Sequence, residues 1–226
     1  MQENLLGRNS FGEDSRVCGK TKPAIEMNVL SDHDGELLVR TARSVVREYI
    51  ETGKRMALSD EIKSRFSFNS GVFVTLNKGE NLRGCIGFPT PDRKLYQSLV
   101  DASISSATED PRFLPVKYDE LNRIIFEVTV LTPPEVVKVQ DPSEYPSKIR
   151  VGRDGLIVKW EFGSGLLLPQ VPVEYGWNEE EFLDHTCEKA GAPSGYWKQK
   201  GTVILRFEGI VFKETEPDGS AIRVNL

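Results

Sequence analysis

Imidazole is scarce in this chain: its 226 residues include two histidines, His33 and His185. Cysteine is scarce as well, and Cys18, Cys85 and Cys187 are widely spaced and odd in number. A disulfide framework needs paired cysteines at close spacings, so none is expected. Free thiols fit a reducing compartment. Structural zinc needs clustered thiolates or imidazoles. There is no CxxC, and His185 and Cys187, two apart on a helical pattern, point about 200° apart. No metal site and no cofactor is therefore expected. No run approaches the roughly 18 apolar residues of a membrane span, and the first thirty residues lack the apolar run of a secretory signal. The expected location is cytoplasmic, with no membrane partner.

Other absences narrow the chemistry. The phosphate-cradling loops GxGxxG and GxxxxGK[ST] are missing, as is the GxSxG elbow of a serine hydrolase. Basic charge is not in excess. Lys and Arg number 29 against 34 Asp and Glu, a net −5, so no overall basic field supports nucleic-acid binding. The expected partner is an unidentified small molecule or protein.

The chain that remains is patterned. Residues 1–28 are polar and aperiodic and are expected to be an N-terminal tail, in which Cys18 is incidental. Residues 29–226 are expected to form the folded domain. Ser31 or Asp32 caps a helix whose apolar residues, Leu38, Ala42, Val45, Val46 and Tyr49 among them, recur at helical spacing until Gly53. Two apolar runs around Lys78-Gly79-Glu80-Asn81 predict a β-hairpin. A helix is predicted from Asp92, with small residues at Ala102, Ser103, Ser106 and Ala107, and "DPRFLP" breaks it. Arg123 to Leu131 reads as a strand, and Asp141 to Ile149 as a loop or short helix. A second hairpin is expected to turn at Phe162-Gly163-Ser164-Gly165. Asn178 and Glu181 have capping-box spacing for a further helix, with Cys187 on its apolar face. Thr202 to Phe212 reads as the last strong strand, with a bulge expected at Gly209. Helices and hairpins mix without β-α-β alternation, which predicts an α+β fold with antiparallel sheets.

The stretch with most chemistry is "NLRGCIGFP", Asn81 to Pro89. Strand alternation places Arg83, Cys85 and Gly87 on one face. A guanidinium there would favour the thiolate of Cys85, and Gly84 and Gly87 would leave the backbone open beside the sulfur. The residues alone leave three readings open. Cys85 could be a nucleophile with Arg83 as its cationic partner. The strand could bind an anion, peptide or partner protein without turnover. The glycines could serve packing alone. No general base is evident, since His185 is remote in sequence. Asp110 and Arg112 read either as an ion pair at a helix end or as a means of aiming Arg112 into a cleft. Gln170 is a polar residue in an apolar-rich segment, suited to satisfying backbone groups or to binding a ligand.

"LRGCIG", "DPRF", "ELNRIIFEVTVLTPPE", "GRDGLIV", "GLLLPQVPVEYGW" and "FLDHTCEKAGAP" follow one another in an order that resembles the AMMECR domain family, over about Leu30 to Glu214. The resemblance implies an α+β domain with a larger part built from both chain ends and a smaller part inserted within it. It also implies a cleft near "LRGCIG". The family's activity is not established. Carried over, the candidate site residues are Cys85 and Arg83 for catalysis, with Gly84, Gly87, Arg112 and Gln170 for ligand binding.

Overall fold

The computed structural model describes residues 30–224; the N-terminal segment with Cys18 lies outside the described residues. In chain order the helices are α1 (Asp32–Thr52), α2 (Asp60–Arg65), α3 (Leu95–Thr108), α4 (Tyr145–Lys148), α5 (Gln170–Tyr175) and α6 (Glu179–Lys189). The strands are β1 (Val72–Lys78), β2 (Asn81–Phe88), β3 (Ile124–Leu131), β4 (Glu135–Val136), β5 (Asp154–Trp160), β6 (Gly163–Leu167), β7 (Val203–Glu214) and β8 (Ala221–Val224). The strands run in the order β2-β1-β3-β7-β5-β6, with β4 and β8 also on β7, and the pairs are antiparallel. The fold is α+β. Among the described residues no helix is long and apolar enough to cross a membrane.

The long strand β7 organises the sheet. Its first half pairs with β5 and β4, and its second half with β3 and β8. Ile204 joins an apolar cluster with Leu156, Val158, Phe182, Leu183 and Trp197, while Ile210 and Phe212 join a larger one with Leu38, Val45, Leu99 and Phe126. Both cores lie under one face of the sheet, where α1 packs on β3 and β7, α3 on β1 and β2, and α6 on β5 and β6. The opposite face is closed as well: Thr129, Leu131, Phe207 and Val211 are each at most 4% exposed and belong to neither cluster. A sheet buried there without a covering helix has curled over its own outer face.

Local chemistry explains most element ends. The Asp34 N–H donates to the Ser31 hydroxyl and the Ser31 N–H donates to the Asp34 carboxylate, a capping box at the start of α1. Gly53 ends the helix in the left-handed region, at φ 68°. Arg43, midway along α1, is buried against Glu214. Its Nε lies 2.5 Å from Glu214 Oε1, it donates to the carbonyls of Leu121 and Ile124, and Phe126 N–H donates to the same carboxylate. One ion pair thereby ties the first helix to the last residues of β7 and the start of β3.

Three expectations differ from the structure. α3 begins at Leu95, not Asp92: residues 90–93 form a turn, and a bridge between Asn69 and Lys94 with the bond from Leu95 N–H to the Phe68 carbonyl keeps Lys94 extended. The second hairpin turns at Glu161-Phe162, so Gly163 and Gly165 are strand residues. A Cβ on Gly165 would lie 2.3 Å from the Ala190 nitrogen; this glycine admits α6 and does not serve the turn. Gly209 stays in register opposite Leu131. The register slips in β2 instead, between the pairs Leu76–Gly84 and Asn77–Leu82, and leaves Arg83 as the extra residue.

Candidate functional site

That bulge decides the geometry of the motif. Alternation would put Arg83 on the face of Cys85, and the slip resets it between the two. Arg83 turns to Glu120, in the 3-10 turn before β3, with Nη2 2.9 Å from Oε2. Lys78 reaches the same carboxylate at 3.3 Å. The expectation that Arg83 partners the thiol is therefore corrected: its charge is spent on Glu120. Arg83, ahead of Lys78, holds the Glu120 carboxyl down to about 2 from an ordinary value of 4.5. A folded value below the unfolded one means stability that is complete above about pH 4.5 and lost as pH falls toward 2. Acid unfolding curves will show it: Glu120→Gln is expected to flatten the loss of melting temperature across that range.

Cys85 lies on the face away from the helices, half-buried, directly opposite Thr75. The Thr75 hydroxyl donates to Sγ at 3.3 Å. On its other side Thr75 faces Glu127 of β3, and Glu127 faces Lys213 of β7. Cys85, Thr75, Glu127 and Lys213 thus form one row across four strands. At about 4.8 Å per strand, roughly 10 Å separates the backbones of Cys85 and Glu127, with the hydroxyl between them.

Both titratable ends of the row are shifted up. Burial raises the Cys85 thiol; the Thr75 hydroxyl and Arg112 oppose this, while Glu127 and Asp110 add to it. Burial also raises the Glu127 carboxyl, offset in part by Lys213 at 3.9 Å. At neutral pH the resting sulfur is a thiol, contrary to the thiolate that an adjacent guanidinium would give.

The cation that acts on Cys85 is Arg112, and Asp110 positions it. Asp110 is buried and accepts the Arg112 Nε and Nη2 donors at 2.9 and 2.7 Å. It also accepts the Cys85 backbone N–H at 2.8 Å, while Arg112 Nη2 donates to the Cys85 carbonyl at 3.3 Å. The Arg112 guanidinium, with these N–H groups, holds the Asp110 carboxyl well below the usual carboxylate range although burial opposes it. Since β2 is the sheet edge, this pair caps the open backbone at Cys85.

The two glycines of the motif are filled by the protein itself. A Cβ on Gly84 would lie 2.1 Å from the Ser106 carbonyl oxygen of α3, and one on Gly87 would lie 2.4 Å from the Phe73 ring. Gln170 opens α5, beyond β6, and no hydrogen bond joins it to β2 among the described residues. His185 stacks on Trp177 and bonds Glu188 through Nδ1 at 2.8 Å, in the part of the chain that builds the second core. Five surface cavities of 250–440 Å³ are lined by other segments, and Cys85 lines none of them. Among the described residues no three His, Cys, Asp or Glu side chains are grouped to hold a metal ion.

The residue that sequence reasoning passed over is Glu127. Its signal was present: it is the one charged side chain between Ile124 and Leu131, in an otherwise apolar and β-branched strand. An isolated carboxylate there must face away from the core or be satisfied within it, and only the register shows that it shares a row with Cys85.

The fold and this motif define a chain with antiparallel sheet on two helix-covered cores, and the AMMECR1 family model matches residues 39–212. The protein belongs to that family. It is similar to "Protein MJ0810" of Methanocaldococcus jannaschii, 47% identical over 88% of this chain and 100% of that protein. It is similar as well to "Protein PYRAB00100" of Pyrococcus abyssi, 48% identical over 88% of this chain and 100% of the relative. The crystal structure of the uncharacterized protein PH0010 from Pyrococcus horikoshii superposes with a TM-score of 0.79 at 48% identity, covering 87% of this chain and 99% of that one.

Proposed function

We propose that the outer face of β2, β1 and β3 is an enzyme's acid–base site, with Cys85 as the reacting thiol and Glu127 as its proton acceptor. The observation that carries this reading is the row itself: a thiol and a carboxyl, both shifted up, on either side of one hydroxyl. Perturbed groups held together in this way are a mark of functional sites. A carboxyl raised by burial is a better base for a neutral thiol than an ordinary one, and a thiol not ionised at rest needs such a base. In the proposed step the sulfur bonds an electrophilic carbon of a small substrate. With a thioester, the C=O electron pair moves to the oxygen as the S–C bond forms, and Arg112 steadies that negative charge. The Thr75 hydroxyl, which donates to Sγ at rest, turns to accept the thiol proton and pass its own to Glu127. Collapse expels the substrate's thiolate, which takes the proton back from Glu127, and water releases the acyl group from Cys85.

A panel of small thioesters and α,β-unsaturated carbonyls, followed by intact-mass spectrometry, tests this reading. Cys85→Ala should abolish adduct formation and release. Glu127→Gln should slow formation of the adduct, and with it turnover, at least about a hundredfold, the scale of one acid–base group. Equal turnover in wild type and Glu127→Gln would remove Glu127 from the mechanism.

A second reading, a binding module without turnover, has its own observation: Arg83 and Arg112 hold carboxylates beside the motif, a sign that these guanidiniums suit anionic groups. A small-anion-induced rise in melting temperature that survives Cys85→Ala and is lost in Arg112→Ala would select it.

The two thiols offer a simpler check on this assignment. In a Cys18→Ser background at neutral pH, iodoacetamide is expected to label Cys85 slowly and Cys187 only on unfolding. Cys187 is fully buried, and that burial pushes its thiol up to about 11. Peptide mapping over time reads both rates, and labelling of Cys187 as fast as Cys85 would contradict the burial difference.

A further inference from the structure

Three planar rings stand in a row where α5 meets α6. Tyr175 lies over Trp177 with ring centres 4.9 Å apart and planes 17° from parallel, and Trp177 lies over His185 at 3.8 Å and 23°. Gly176, at φ 69°, turns the chain sharply between the two aromatic residues. Trp177 rests against the second core, but Tyr175 is 69% exposed and Val173, on the same short helix, is 58% exposed. One face of the outermost ring is therefore open to solvent. Stacked rings extend by accepting another flat group, and the face of an aromatic ring also attracts a cation.

The surrounding charge decides which group. From Val173 to Glu188 the chain carries six acidic residues and no lysine or arginine. A cavity of about 390 Å³ at the start of α6, the helix that carries His185, is lined by Asn178, Glu179, Glu180, Glu181 and Asp184 together with Pro146. Such a field repels the phosphate of a nucleotide, which excludes a base-stacking ligand that brings phosphates with it. It favours a flat cation, and among side chains only arginine is both planar and permanently charged.

We infer that the Tyr175–Trp177–His185 row is a docking site for an arginine-bearing, basic segment of a partner protein. One guanidinium stacks on Tyr175, and neighbouring basic residues face the carboxylates of α6. The inference is independent of the Cys85 row.

Fluorescence anisotropy with a labelled nine-residue oligoarginine, at about 0.15 M salt to screen diffuse attraction, tests it on the full chain. Oligoarginine should bind more tightly than oligolysine of the same length. Tyr175→Ala should weaken oligoarginine about tenfold, the size of one cation–π contact, with an unchanged melting temperature because the side chain is mostly exposed. Equal affinity for both peptides together with no effect of Tyr175→Ala would reduce the surface to nonspecific charge and overturn the inference. Absence of binding, or preference for a single-stranded oligonucleotide over the peptide, would overturn it as well.

Discussion

Glu214→Leu is expected to lower stability by about 3–5 kcal/mol, the cost of leaving one member of a buried ion pair alone. In a domain of this size that is a fall in melting temperature of roughly 6–20 °C. The reason is local. Arg43 is 3% exposed, and the Glu214 carboxylate neutralises it at contact distance while also accepting the Phe126 N–H; Asp218, mostly exposed and 3.8 Å away, is the weaker partner. Arg43→Met with Glu214→Leu should recover part of the loss and not all of it. The double change removes the buried charge but strands the Phe126 N–H and takes a donor from the Ile124 carbonyl, while the Leu121 carbonyl keeps the Ile124 N–H. Thermal melts of the three variants decide it. A Glu214→Leu protein as stable as wild type would mean that the pair does not hold α1 to the sheet.

Gly84→Ala is the second large effect. The added methyl carbon would sit 2.1 Å from the Ser106 carbonyl oxygen and 3.2 Å from its carbon. Backbone cannot swing aside as a side chain does, so α3 and β2 must separate. Ser106 also accepts the Ile86 N–H through its hydroxyl and donates toward the Val74 carbonyl, so separation breaks bonds to both strands. The expected cost is about 3 kcal/mol, at the upper end for overpacking, or a drop of roughly 6–12 °C in melting temperature. Gly87→Ala should be destabilising too, since its methyl carbon would lie 2.4 Å from both the Phe73 ring and the Val72 carbonyl oxygen. Equal stability of Gly84→Ala and wild type would show that the close approach of helix to strand is not needed.

These two sites also show where sequence reading succeeds and stops. The first helix was legible from both ends, because Ser31, Asp34 and Gly53 are local signals acting within a few residues. The α+β class followed from the mixture of periodicities. The neighbourhood of Cys85 was legible as a place but not as an arrangement. A one-residue slip at Arg83 cannot be read from composition, yet it sends that guanidinium to Glu120 and leaves the thiol under Arg112 and Glu127. Asp110 and Arg112 were visible as a pair, and the structure has them bonded to each other; what the sequence did not offer is that the pair also holds the Cys85 backbone. The glycines of the motif suggested room beside the sulfur, but Ser106 and Phe73, far away in sequence or on the facing strand, occupy it.

The coupling of Cys85 to Glu127 is tested most directly by the pH dependence of Cys85 alkylation in wild type and in Glu127→Gln, each with Cys18 replaced by serine. Iodoacetamide reacts with thiolate already formed and needs no proton acceptor, so this curve reads the charge of Glu127 alone. That charge adds to the upward shift of the thiol, and removing it should move the curve to lower pH even though turnover of a substrate, which needs the acceptor, falls. Superimposable curves for the two proteins would contradict the account, because the carboxyl and the sulfur would then act without reference to each other.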